Sequence, residues 1–223
     1  MTGDSSHRAL EKPSGFSLAL NFLPFLYLST GAAVIGSLFT LNASGVVAAV
    51  AWVYLVPPLA GRLIILLFGT PHGRLHQDTM QYRVWWILTQ LQMLFNRLPS
   101  LEELLRLVPG LYAFWIRLWG GQFSAQAYAG PGVLITDRYA VKVERGAVLG
   151  FKAVLAGHMV IRDEAGRWVV IVAAPCVEAE AIVGGGAGLG PGAVLRAGHM
   201  LPTGRRVGAF DTWPRAVTKR EAL

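Results

Sequence analysis

The sequence is poor in cysteine, poor in charge and, over one long stretch, devoid of ionisable groups. A single cysteine, Cys176, excludes an intrachain disulfide framework and a multi-cysteine metal cluster. Charged residues make up 15% of the 223 positions and hydrophobic residues 53%. A disordered chain needs the opposite balance, and ordinary soluble domains carry about 25% charged residues. No dense Lys/Arg run with interleaved aromatics occurs, so no nucleic-acid partner is expected despite a net charge of +7. Between Lys12 and Arg62 there is no Asp, Glu, Lys, Arg or His.

That uncharged run is long enough for two membrane-spanning helices at about 20 residues each. Asn42-Ala43-Ser44-Gly45 divides it, which predicts a transmembrane helical hairpin with helices over 16–41 and 46–68. A signal peptide has a shorter apolar region and no second one directly behind it. A buried soluble hairpin would need a large surrounding core. Arg8 and Lys12 precede the run, Arg74 and Arg83 follow it, and the tip has no basic residue. The basic flanks predict an integral protein of the inner (cytoplasmic) membrane with both termini in the cytoplasm. Pro57-Pro58 predicts a kink in the second helix. Arg62, late in that helix, either snorkels to the interface or meets an anionic headgroup.

Residues 80–98 place Trp85, Trp86, Leu88, Leu91, Leu94 and Phe95 on one helical face, and 101–119 continue in the same style. Tryptophan favours the membrane interface, so 71–120 are read as interfacial or linker helices. Packing as core helices is the competing reading. His72, His76 and Asp78 have the spacing of metal ligands on a helix, but Pro71 and Gly73 break any helix there. A solvated loop is expected, with no metal site.

The second half is periodic. Val177, Val183, Leu189, Leu195, Leu201 and Val207 recur every six residues, and Ala181, Ala187 and Ala193 follow four positions behind. Val143, Leu149, Leu155 and Ile161 share the period, as do Phe123, Ala129 and Ile135. A two-residue slip separates Ile135 from the Val143 phase, and a longer interruption covers about 162–176. Period six suits a triangular parallel β-helix whose aliphatic residues point inward and whose corners favour small residues and glycine. About eleven hexads, three per coil, make between three and four coils. The Gly-rich stretch 184–192 lacks the Gly-Lys-Ser/Thr ending of a phosphate loop.

Ile135-Thr136-Asp137, the run Val143 to Gly150, Leu155-Ala-Gly-His158 and the run Ala181 to Gly198 resemble the hexapeptide-repeat acyltransferase family. The whole order, apolar helices, then a Trp-rich stretch, then hexads, resembles the membrane-bound C-terminal region of nonribosomal-peptide-synthetase-like proteins. These resemblances imply an α+β membrane protein. Its expected parts are a tail over 1–15, the hairpin over 16–70, the linker helices over 71–120, a left-handed β-helix over 121–210 and a basic tail over 211–223. They also imply a homotrimer that uses acyl-CoA or an acyl-carrier thioester as co-substrate, with no permanently bound cofactor. His158 stands where the family has its catalytic base. Asp163, Glu164 and Glu144 are candidates to orient its ring. Lys152, Arg196, Arg205 and Arg206 are candidates for donor phosphates, and the basic tail for lipid or CoA. His199 repeats the Ala-Gly-His-Met context of His158 one position out of register and is read as structural. Cys176 is read as a small apolar filler.

The expected activity is acyl transfer from a thioester to a hydroxyl or amine of a membrane-associated acceptor, with His158 as general base. A non-catalytic trimeric scaffold or lipid-binding module is the first alternative. A peptide-bond-forming domain acting on carrier-protein thioesters is the second.

Overall fold

The computed structural model describes residues 11–38 and 42–215. Arg8 and the tail beyond Arg215 lie outside the described residues. Helices α1 (Gly15–Leu20) and α2 (Leu23–Leu38) replace the single expected helix. They part at Asn21-Phe22, where Pro24 has no N–H to continue the ladder. Helix α3 (Ala43–Phe68) starts three residues earlier than expected, because the Asn42 side chain caps it by accepting from the Gly45 N–H. By length and composition, 15–38 and 43–68 are each able to cross a membrane.

Helix α3 continues through Pro57 and Pro58, both buried. Pro58 leaves the Tyr54 carbonyl without its intrahelical donor. Trp115 Nε1 donates to that oxygen at 2.8 Å. The donor comes from α6 (Leu111–Trp119), so the proline pair marks a docking point between helices. Tyr27 and Trp52 lock α2 to α3 by stacking at 5.7 Å and by bonding each other's backbone carbonyls.

Helix α4 (Met80–Arg97) runs antiparallel to α3. Gln81 Nε2 donates to Phe68 O, Gly61 faces Leu88, and the Tyr54 and Phe95 rings lie 5.8 Å apart. Its Trp-rich face therefore packs inside the chain, as a core helix does, with Tyr82, Trp85, Leu88 and Phe95 buried. The expected loop around His76 is instead strand β1 (Gly73–His76). Among the described residues no group of three or more His, Cys, Asp or Glu has metal-holding geometry. Helix α5 (Ser100–Arg106) links α4 to α6.

Beyond α6 the chain winds into a three-faced parallel β-solenoid. One face stacks β2 (Gln122–Phe123), β5 (Lys142–Val143), β10 (Cys176–Val177), β13 (Val194–Leu195) and β16 (Thr212–Trp213) in that spatial order. The second stacks β3 (Tyr128–Ala129), β6 (Val148–Leu149), β11 (Ile182–Val183) and β14 (Met200–Leu201). The third stacks β4 (Leu134–Ile135), β7 (Val154–Leu155), β12 (Gly188–Leu189) and β15 (Arg206–Val207). These make four coils, and β16 begins a fifth. The hexad aliphatics fill the prism, and Ala147, Ala153, Ala181, Ala187 and Ala193 are fully buried at the corners. In the last coil the equivalent positions hold His199, Arg205 and Asp211. Among the described residues no further coil covers them, so large polar groups fit. Gly150 illustrates the corner constraint, since a Cβ there would lie 2.8 Å from Val183 O in the next coil.

Two irregularities interrupt the winding. The slip between Ile135 and Val143 is a short loop, and the interruption before Val177 carries the antiparallel hairpin β8 (His158–Arg162) and β9 (Trp168–Val172). Ile161, which shares the hexad phase, lies in that hairpin and outside the prism. Strand β1 pairs with the other edge of β9. Glu11 accepts from the Trp168 N–H at 2.6 Å, which ties the hairpin to the start of the described chain.

Candidate active site at one prism corner

Both irregularities fall at the same corner. Ile135 pairs with Leu155, and Val143 pairs with Val177. The slip loop and the hairpin insertion therefore stack directly, one coil apart.

The slip loop is fixed from below. Arg138 is fully buried, and its guanidinium bonds Glu102 and Asn96 Oδ1 (2.9 Å). It also lies over the Phe95 and Trp115 rings. The Arg138 N–H donates to Gln92 Oε1 at 2.7 Å. Glu102 is shared with Arg106 and with the Tyr112 hydroxyl at 2.7 Å. A buried ion pair needs this many hydrogen bonds to offset its desolvation. The result is a rigid seat for Asp137, the residue before Arg138.

The Asp137 carboxylate is 1% exposed. Its Oδ2 accepts from Thr136 Oγ1 at 2.6 Å and meets His158 Nδ1 at 2.6 Å. Gly157 closes the corner: its N–H donates to Thr136 Oγ1, and its carbonyl accepts from the Ala173 N–H. A Cβ on Gly157 would lie 2.7 Å from Asp137 Cβ and 2.9 Å from Ala140 O, so only glycine fits between the stacked loops. The Trp85 ring meets the imidazole edge-on, with centroids 5.2 Å apart.

Burial pulls the His158 pKa down, but the Asp137 hydrogen bond and charge outweigh it and leave the pKa raised above 6.5. With Nδ1–H donated to the carboxylate, the neutral ring carries its lone pair on Nε2. No other hydrogen bond holds the ring among the described residues, and the side chain is 24% exposed. A positioned base with one free nitrogen can take a proton from an attacking hydroxyl or amine.

The three carboxylates expected to orient the ring are engaged elsewhere. Asp163, in the β8–β9 turn, bonds Arg167 Nε and the Arg167 N–H, both at 2.8 Å. Glu144 pairs with Lys142 Nζ at 2.7 Å and accepts from the Ala179 N–H. Glu164 is exposed in the same turn as Asp163. Asp137 takes the position, and a signal for it was present. Asp137 lies two residues past Ile135 and His158 three past Leu155, so stacking three hexads per coil brings them together.

The four candidate donor-binding cations each have separate neighbours. Lys152 sits at the corner after β6, with its ammonium over Phe151. Arg196 pairs with Glu178 at 3.1 Å. Arg205 packs on Trp213 at the open end, and Arg206 lies on β15 over Gly188. His199 is exposed, and its Nδ1 lies 2.8 Å from Ala197 O. Cys176 points outward from β10 while Val177 points in, so it is not core filler; burial pushes its thiol pKa up.

No family model and no curated protein matches the chain. Among solved structures, the chain is similar to serine acetyltransferase isoform 3 of Entamoeba histolytica in complex with cysteine. Identity is 13%, with 98% of this chain and 89% of that chain covered and a TM-score of 0.24. It is also similar to serine acetyltransferase 1 of the same organism in complex with L-cysteine. There identity is 11%, coverage 91% and 90%, and TM-score 0.25. Likeness this distant assigns no activity to the chain.

Proposed function

We propose that the chain is a membrane-anchored acyltransferase that moves an acyl group from acyl-CoA or an acyl-carrier thioester to a hydroxyl or amine of a membrane-associated acceptor. The His158–Asp137 pair carries this reading. Asp137 orients the ring and stabilises its charged form, and His158 Nε2 takes the acceptor proton as the nucleophile attacks the thioester carbonyl. The tetrahedral intermediate collapses with loss of the thiolate, and the imidazolium returns the proton to sulfur. Backbone N–H groups at a prism corner are the natural oxyanion donors.

The membrane part of the proposal rests on the apolar hairpin, which leaves Phe22, Phe25, Leu38, Val47, Leu63 and Leu66 exposed. Both chain ends and the prism are assigned to the cytoplasmic side from the basic flanks. Assembly as a homotrimer is supported by the outward column Tyr128, Val148, Ile182 and Met200 on the second face.

The test is thioester consumption by purified protein with an amphiphilic amine or alcohol as acceptor. Acceptor-dependent turnover abolished in His158→Ala supports the reading. Equal rates for both proteins overturn it.

A further inference from the structure

Resting on the membrane anchoring proposed above, we propose that the hairpin enters one leaflet of the bilayer and turns back, rather than crossing it. Helix α4 covers one side of the hairpin over most of its length. Tyr82 and Trp86 of α4 bond Ser17, Gln90 bonds Asn21, and Phe95 faces Tyr54. This cover ends where Tyr27 stacks on Trp52. Beyond that level, among the described residues, 28–38 of α2 and 43–51 of α3 face no protein but each other, with Gly31 buried under Trp52. At 1.5 Å per residue these stretches reach about 16 Å and about 14 Å. A hydrocarbon core is about 30 Å thick.

Pushing the hairpin further would carry its cover with it. Arg97, exposed at the end of α4, would enter hydrocarbon, as would the polar first coil with Gln122 and Gln126. Such a depth is unfavourable for arginine and for backbone at a coil corner. The opposite side of the hairpin remains apolar along its whole length, from Phe16 and Phe25 to Leu59 and Leu67. A tilted hairpin that rests this side in the leaflet accounts for both features. Basic residues edge the apolar side. Arg62 is exposed with its guanidinium beside Gly120 at the end of α6, Arg83 lies over Phe16, and Arg97 marks the end of the cover. Arg97, at the deep end of the cover, fits a lipid phosphate at the headgroup level.

The full chain, with Cys176→Ala and a single Ser44→Cys at the tip, is reconstituted in sealed vesicles of phosphatidylcholine and phosphatidylglycerol. A membrane-impermeant maleimide is supplied outside in one sample and inside in another. A parallel Arg145→Cys protein reports which side the prism occupies. Expected is a tip protected from both compartments and labelled only after detergent. Tip labelling from the compartment opposite the prism would overturn the one-leaflet insertion and leave the anchor standing. Protein washed from the vesicles by carbonate would instead defeat the anchoring itself, with the hairpin then covered by a second copy.

Discussion

His158 Nδ1 lies 2.6 Å from Asp137 Oδ2, between neighbouring coils of the solenoid and across 21 residues of sequence. Each residue belongs to one of the two breaks in an otherwise regular hexad pattern. The solenoid stacks those breaks on one corner, and the helical base fixes the lower one through Arg138.

Acyl transfer should rise with pH as His158 loses its proton, with a midpoint above 6.5. His158→Ala should lose about 10²–10⁴-fold in rate. Asp137→Asn removes the interaction that raises the pKa and leaves the burial that lowers it. Its residual rate should therefore show a midpoint at lower pH than wild type. A pH–rate profile of both proteins decides this, and an unmoved midpoint would show that Asp137 does not act on the ring.

The same pair makes the opposite contribution to stability. A raised folded-state pKa stabilises fully below the unfolded value and loses that effect as pH rises through the folded value. Urea midpoints of wild type and His158→Gln should therefore differ more at about pH 5.5 than at about pH 9. A gap that grows with pH would contradict the pairing.

Gly157→Ala should disrupt the corner. The new methyl would meet Asp137 Cβ and Ala140 O, neither of which moves freely. Overpacking of this kind costs roughly 1–3 kcal/mol. The rate should fall further than stability alone explains, because the strain lands on Asp137. Thermal melting and turnover measured below the melting range separate the two effects.

Arg138→Ala leaves Glu102 buried without its main partner. Breaking one side of a buried pair costs about 3–5 kcal/mol. Tm should drop sharply, while exposed Arg145→Ala should leave it nearly unchanged. Comparable Tm values for the two variants would remove Arg138 as the seat of the loop.

Trp115→Phe removes the donor that satisfies Tyr54 O. An unsatisfied buried carbonyl costs about 1–3 kcal/mol. Pro58→Ala restores an intrahelical N–H for the same oxygen. The cost of Trp115→Phe should therefore shrink in the Pro58→Ala background. Purely additive stabilities in that double-mutant cycle would show that the bond does not compensate for the proline.

Much of the architecture is legible along the chain. The six-residue period is, because each inward aliphatic answers to its equivalent in the next coil. The two apolar helices are too, because a long run without charge has few other solutions. The ends are less so. Asn42 starts α3 early by capping it, and Pro24 splits the first helix. The Trp-rich stretch divides differently. Its amphipathic face is plain in the sequence, but the same face suits a membrane surface or a protein core. Only α3 and the slip loop, packed against Trp85, Leu88 and Gln92, favour the core.

The candidate site divides in the same way. His158 stands out in sequence as a histidine beside a break in the repeat. Its partner does not, since Asp163 and Glu164 are nearer along the chain, and proximity in sequence says little where a chain winds through a full coil between neighbours. The sequence by itself determined the periodicity, the apolar hairpin and the position of both interruptions, because these follow from spacing and hydrophobicity. Tertiary structure decided which carboxylate meets the imidazole, which face of α4 is buried and how much of the hairpin is left bare. Those depend on stacking contacts between segments far apart in the chain, which no local pattern encodes.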